Sequence, residues 1–134
     1  MPEPSSFDYS IIRVVPRVER GEQINSGIVL YCRARDFLGA RVELDRARLA
    51  SLAPELDADL IESHLESILR ICQGGADAGP IGRLSQAERF HWLVSPRSTV
   101  IQLSPVHSGL CDQPEAALEH LLNTLVRPNG TSSR

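Results

Sequence analysis

Ile28-Val29-Leu30-Tyr31-Cys32 is an almost unbroken apolar run. Such a run suits a strand covered on both faces, or at least a central one. Its flanks supply partners. Phe7–Val15, FDYSIIRVV, is rich in β-branched and aromatic residues and is stopped by Pro16, which reads as a strand. Arg20-Gly21-Glu22 supplies a turn, and the strand holding the apolar run spans about Ile24 to Arg33. A further turn at Phe37-Leu38-Gly39 leads into Arg41–Asp45, where polar and apolar residues alternate as in a half-exposed strand. Short connections make these three an antiparallel meander. Asn25-Ser26-Gly27 interrupts the middle strand with polar residues and glycine, and the expected device there is a β-bulge.

The helices follow. Residues 46–53, RARLASLA, form a short helix that Pro54 ends. Asp57 is the N-cap of the clearest helix, whose stripe is Leu60, Ile61, Leu65, Ile68, Leu69 and Cys72. Leu65 and Leu69 are its expected core residues, and Gly74-Gly75 ends it in the left-handed conformation. Ser85-Gln86-Ala87-Glu88 has the capping-box spacing and starts a short helix holding the one Trp, Trp92. Thr99–Leu103 reads as a strand between Pro96 and Pro105, with a loop bearing His107 after it. Asp112-Gln113-Pro114-Glu115 opens the last helix, with Leu118, Leu121, Leu122, Leu125 and Val126 as its stripe. The expected fold class is α+β, an antiparallel sheet of about four strands with the two main helices packed on one face. The last strand could lie at an edge or pair with the first. One domain spans residues 1–134, with flexible tails over 1–6 and 127–134.

No run approaches the ~20 apolar residues of a membrane span, and MPEPSSFDYS lacks the pattern of a signal peptide, so the expected location is the cytoplasm. Cys32, Cys72 and Cys111 form no CxxC pair and read as reduced thiols. A net charge of −3 gives no general attraction for nucleic acid, and the few aromatics are not interleaved with Arg as a stacking platform requires. All fourteen basic residues are Arg, which fits the codon bias of a GC-rich genome and excludes lysine-dependent chemistry such as a Schiff base or a P-loop.

Four segments together resemble one family: YSIIRVVPRVERGEQINSGIVLYC, the Asp57–Gly75 helix ending ICQGG, AGPIGRLSQAERFHWLVSPRSTVIQ, and SPVHSGLCDQPEAALEHLL. They resemble the bacterial domain of unknown function 3037 family over nearly the whole chain. The resemblance implies a bacterial protein of this size and carries over no catalytic residue and no cofactor. It also suggests an accessory role beside a kinase-like toxin-type protein. His91 stands where the family pattern leads one to expect Arg.

The residue types of several chemistries are present without the spacing. His64 with Cys72, and His107 with Cys111, offer no close ligand pair of the kind zinc sites show, and no metal is expected. Cys111 or Ser104 with His107 lacks a nucleophile motif. The sharpest candidate is an anion site built from Arg89, Arg97, Ser98 and His107, since Arg forks and hydroxyls suit phosphate. Arg97 and His107 lie ten residues apart, about 30 Å if fully extended, and Arg89 could instead pair with Glu88 or Glu119. The sequence therefore reads as a protein-interaction or accessory module, binding another protein or itself, rather than an enzyme. The alternative is a phosphate- or nucleotide-binding domain or enzyme using those four residues.

Overall fold

The structure, a computed structural model, describes residues 3–96 and 99–127. The described residues contain five strands: β1 (Ser5–Val14), β2 (Ile24–Cys32), β3 (Phe37–Val42), β4 (Ile101–Leu103) and β5 (His107–Cys111). All pairings are antiparallel, in the order β3-β2-β1-β4, with β5 also on β1. The meander is therefore present, and the late strand does pair with the first. The loop expected around His107 is itself a strand. β4 takes the second half of β1, Ile12–Val14, and β5 takes the first half, Ser5–Tyr9. Residues 101–111 thus run along one side of β1 and break only at Ser104-Pro105-Val106. Pro105 has no N–H to give the ladder. Ser104 bridges the break: its N–H donates to Ile11 O (2.9 Å), and its hydroxyl accepts from Ile11 N–H (2.8 Å).

The helices are α1 (Arg46–Leu52), α2 (Ala58–Gln73), α3 (Gln86–Val94) and α4 (Pro114–Leu121), the last running into a π-helical turn over Leu122–Val126. The α+β class holds, but the two main helices do not share a face. α2 and α3 bury Ile12, Val14, Ile24, Val29 and Leu38 on one side of the sheet. α4 and its π turn cover Phe7, Ile11, Ile28, Leu30 and Cys32 on the other. The reason is the apolar run itself. Alternate residues of β2 face opposite sides, and Ile28 through Leu30 are each fully buried, so both sides need a cover.

Local differences have local causes. β3 begins at Phe37, because the turn is made earlier, over Arg33–Arg35, with Asp36 in the left-handed region at φ +53°. Asp tolerates that conformation better than most residues. Asp45, expected in the strand, instead caps α1 by accepting from Arg48 N–H. Ser26 is the extra residue of the expected bulge, since Ile12 pairs with Gly27 and Arg13 with Asn25. A Cβ on Gly27 would sit 2.6 Å from Arg41 O, so the close approach there requires glycine.

In α2 the buried line is Ile61, Leu65, Ile68, Ile71 and Cys72, while Leu69 is half-buried and Leu60 is 55% exposed. Leu60 lies about 140° around the helix from Leu65, at the edge of the buried face and in the first turn. At the chain ends, Ser5 and Ser6 belong to β1 rather than to a tail, and Arg127 pairs with Glu43 and Glu119. Residues 1–2 and 128–134 of the expected tails lie outside the described residues.

Candidate functional site

Each residue of the expected anion site has a clear location or none described. Arg89 lies on α3, 8% exposed, at the C-terminal end of α2. Its Nη1 donates to Ile71 O (2.8 Å) and Cys72 O (2.7 Å), and its Nε to Leu84 O (3.0 Å). Ile71 O and Cys72 O are carbonyls that the end of α2 leaves without helical partners, so the guanidinium caps α2 in trans. Neither carboxylate considered as its partner takes that role. Glu88 closes the Ser85 capping box, and Glu119 pairs with Arg41 and Arg127. Arg97 and Ser98 lie outside the described residues. His107 is exposed at the start of β5, its ring 5.3 Å from that of Tyr9, on the α4 side of the sheet. Arg89 is on the α2–α3 side, so the sheet separates the two.

The thiol and hydroxyl candidates are also placed. Because HSGLC is a strand, His107 and Cys111 stand about 13 Å apart along it. Ser104 Oγ accepts from Ile11 N–H and donates to Pro105 O, which commits it to the strand break. Burial pushes the Cys72 thiol up to about 12, against a smaller opposing pull from Arg89, so it is not a thiolate at neutral pH. Cys111 is also raised, by burial and then by Cys32 beside it. Among the described residues no group of three or more His, Cys, Asp or Glu could hold a metal ion. No helix among them is long and apolar enough to cross a membrane.

A concavity lies elsewhere, between α2, α3 and β4. α2 presents Leu60, His64 and Ser67 beside Ile61, Ile68 and Ile71 of its buried line, with Leu56 and Asp57 at its start. α3 contributes Trp92 and Leu93, and Thr99–Ile101 with Leu103 complete the opposite wall. Together they enclose a groove of about 510 Å³ with a mainly apolar lining. Trp92 is 40% exposed at its rim, as Leu60 is on the helix side. Among the described residues, Asp57 is the one acidic or Arg side chain in the lining; its Oδ1 accepts from Asp59 N–H (3.0 Å) and Leu60 N–H (3.3 Å). With one carboxylate, an exposed imidazole and two hydroxyls, the groove can bury apolar groups and orient a few polar ones.

Its wall β4 is the end strand of the sheet path. Val15 N–H donates to Val100 O (2.6 Å) and Ser104 N–H to Ile11 O, so Val100, Gln102 and Ser104 turn their backbone groups toward β1. Ile101 and Leu103 therefore turn theirs outward. Thr99 Oγ1 donates to Ile101 O (2.6 Å) and Gln102 Nε2 to Thr99 O (3.0 Å). Leu103 N–H, Leu103 C=O and Ile101 N–H have no partner among the described residues.

Sequence reasoning assigned Leu60 to the core stripe and Trp92 to a short helix, and so missed the groove. The available signal was the width of that stripe, which puts Leu60 at one extreme, about 140° around the helix from Leu65. No curated protein and no solved structure matches the chain. The family model described as "Protein of unknown function (DUF3037)" matches residues 9–126, from within β1 to the end of the π turn. With nearly all of the folded unit inside that match, the chain belongs to the DUF3037 family.

Proposed function

We propose that this protein is an interaction module whose α2–β4 groove docks apolar side chains of a partner protein. The observation that carries the reading is the exposure of Leu60 and Trp92 on the rim of a 510 Å³ apolar groove beside an open sheet edge. Exposed apolar surface gathered around a concavity marks a binding site rather than scattered surface residues. Cytoplasmic location and a bacterial host belong to this reading. The first partner to try is a kinase-like toxin-type protein, the class the family resemblance suggests.

The test is photo-crosslinking in the native host, with a benzophenone side chain at Leu60 and, as a control, at Glu115 on α4 across the sheet. Docking predicts a discrete protein adduct from position 60 and none from position 115. Sedimentation equilibrium then tells a second copy from a different chain. Equal or absent crosslinking at the two positions refutes the reading.

A further inference from the structure

We infer that the occupant of this groove is an extended peptide segment that adds to β4 as a further antiparallel or parallel strand, centred on Leu103. The inference rests on the docking reading above and names the form of the partner. Three observations lead to it.

First, the outward hydrogen-bonding groups beside the groove are unevenly available. Ile101 O and Thr99 O already accept from Thr99 Oγ1 and Gln102 Nε2. Leu103 offers both N–H and C=O, and Ile101 offers its N–H. Such groups demand a partner with its own main chain exposed, which an extended segment has and a helix does not.

Second, the side chains of Ile101 and Leu103 pack toward the α2 side, against the same core that Leu93 and Ile61 complete. A strand laid beside β4 would direct alternate side chains the same way, into the groove. A volume of about 510 Å³ suits two aliphatic or aromatic side chains at i and i+2, with Leu60 and Trp92 closing over them.

Third, Asp57 is the one acidic or Arg side chain among the described residues of the lining. With one oxygen fixed by the α2 backbone N–H groups, it favours a Lys or Arg flanking the apolar pair. The recognised element is therefore a short apolar-x-apolar segment with a neighbouring basic residue.

The experiment uses the full-length protein and a phage-displayed library of random eight-residue peptides. Clones are counter-screened against Leu60→Arg and Trp92→Ala, whose folding is checked by circular dichroism and thermal melting. Strand addition predicts groove-dependent binders sharing apolar residues two apart and a basic neighbour. N-methylation of a synthetic binder should weaken it about tenfold at one position, the residue facing Leu103 in an antiparallel strand or the residue after it in a parallel one, and much less at that position's two neighbours, whose N–H groups point away. Asp57→Asn retains a good helix cap and should weaken basic binders about two- to fivefold.

Apolar residues spaced three and four apart, with no position sensitive to N-methylation, would overturn strand addition in favour of a helix in the same groove. No groove-dependent peptide, alongside crosslinking from position 60, would refute the strand while leaving the docking site. Failure of both experiments would refute both.

Discussion

Replacing Arg89 by Met tests whether this arginine is a structural cap or a ligand group. The guanidinium makes three hydrogen bonds to main-chain carbonyls while only 8% exposed. Hydrogen bonds to charged groups contribute about 1.5–3 kcal/mol each, a gross loss of roughly 4.5–9 kcal/mol for three. Against this, Met no longer incurs the several kcal/mol needed to take a guanidinium out of water. The expected net destabilisation is about 2–4 kcal/mol, read from urea unfolding and a Tm lowered by roughly 7–14 °C for a chain of this size. Arg89→Lys should recover only part, because an ammonium cannot fork to Leu84 O and the α2 carbonyls together. Gly74 provides a second handle. Its φ is +77°, and a Cβ there would stand 2.9 Å from Arg89 Nη1. Gly74→Ala should therefore destabilise by about 1–3 kcal/mol, and by less in the Arg89→Met background, where part of the clash is gone. Arg89→Met within about 0.5 kcal/mol of the parent would refute the capping argument.

Further outcomes are expected. Leu65→Ala, at a fully buried position, should cost about 2–5 kcal/mol in denaturant unfolding, whereas half-buried Leu69→Ala should cost visibly less; equal losses would mean α2 sits in a different rotation. Cys72 has a folded-state pKa of about 12 against a reference value of 9.0, so its contribution to stability is complete below pH 9 and is lost as pH rises from 9 toward 12. Cys72→Ala should flatten the alkaline fall by up to about 1.4 kcal/mol per pH unit in that window, and an unchanged slope would contradict the burial. Elemental analysis of the purified protein should find no stoichiometric zinc or iron, and one metal per chain lost on His107→Ala or Cys111→Ser would overturn that expectation.

Much of the fold was legible where residue pattern and local chemistry agree. Asp57 and Ser85 cap the helices expected of them, and Ser26 is the bulge that the Asn-Ser-Gly interruption suggested. The division of helices between two faces was present in Ile28–Cys32 but went unused. A strand apolar on both sides requires two covers, and only two substantial amphipathic helices were available. β5 was hidden because HSGLC carries two small residues and no β-branched one. Its pairing depends on distant partners: Phe7, whose ring stands where a Gly109 side chain would begin, and Tyr9, which stacks on His107. The groove was hidden for a related reason. Whether Leu60 and Trp92 are covered depends on where β4 docks, and that placement is set by contacts with β1 roughly ninety residues earlier.

That long-range closure also bears on how the protein is made. β1 is synthesised first among the strands, and β2 and β3 can zip onto one side of it as soon as residue 42 is free. Its other side has no partner until residues 101–111 emerge. At typical synthesis rates of about 5–20 residues per second, that gap lasts roughly 4–17 s. During it, the nascent chain presents an open strand bearing Phe7, Ile11 and Ile12, next to an apolar sheet whose α4 cover has yet to be translated. Chains crowded on a polysome would be most prone to pair with one another at this stage. The C-terminal third is thus what ends the aggregation-prone interval.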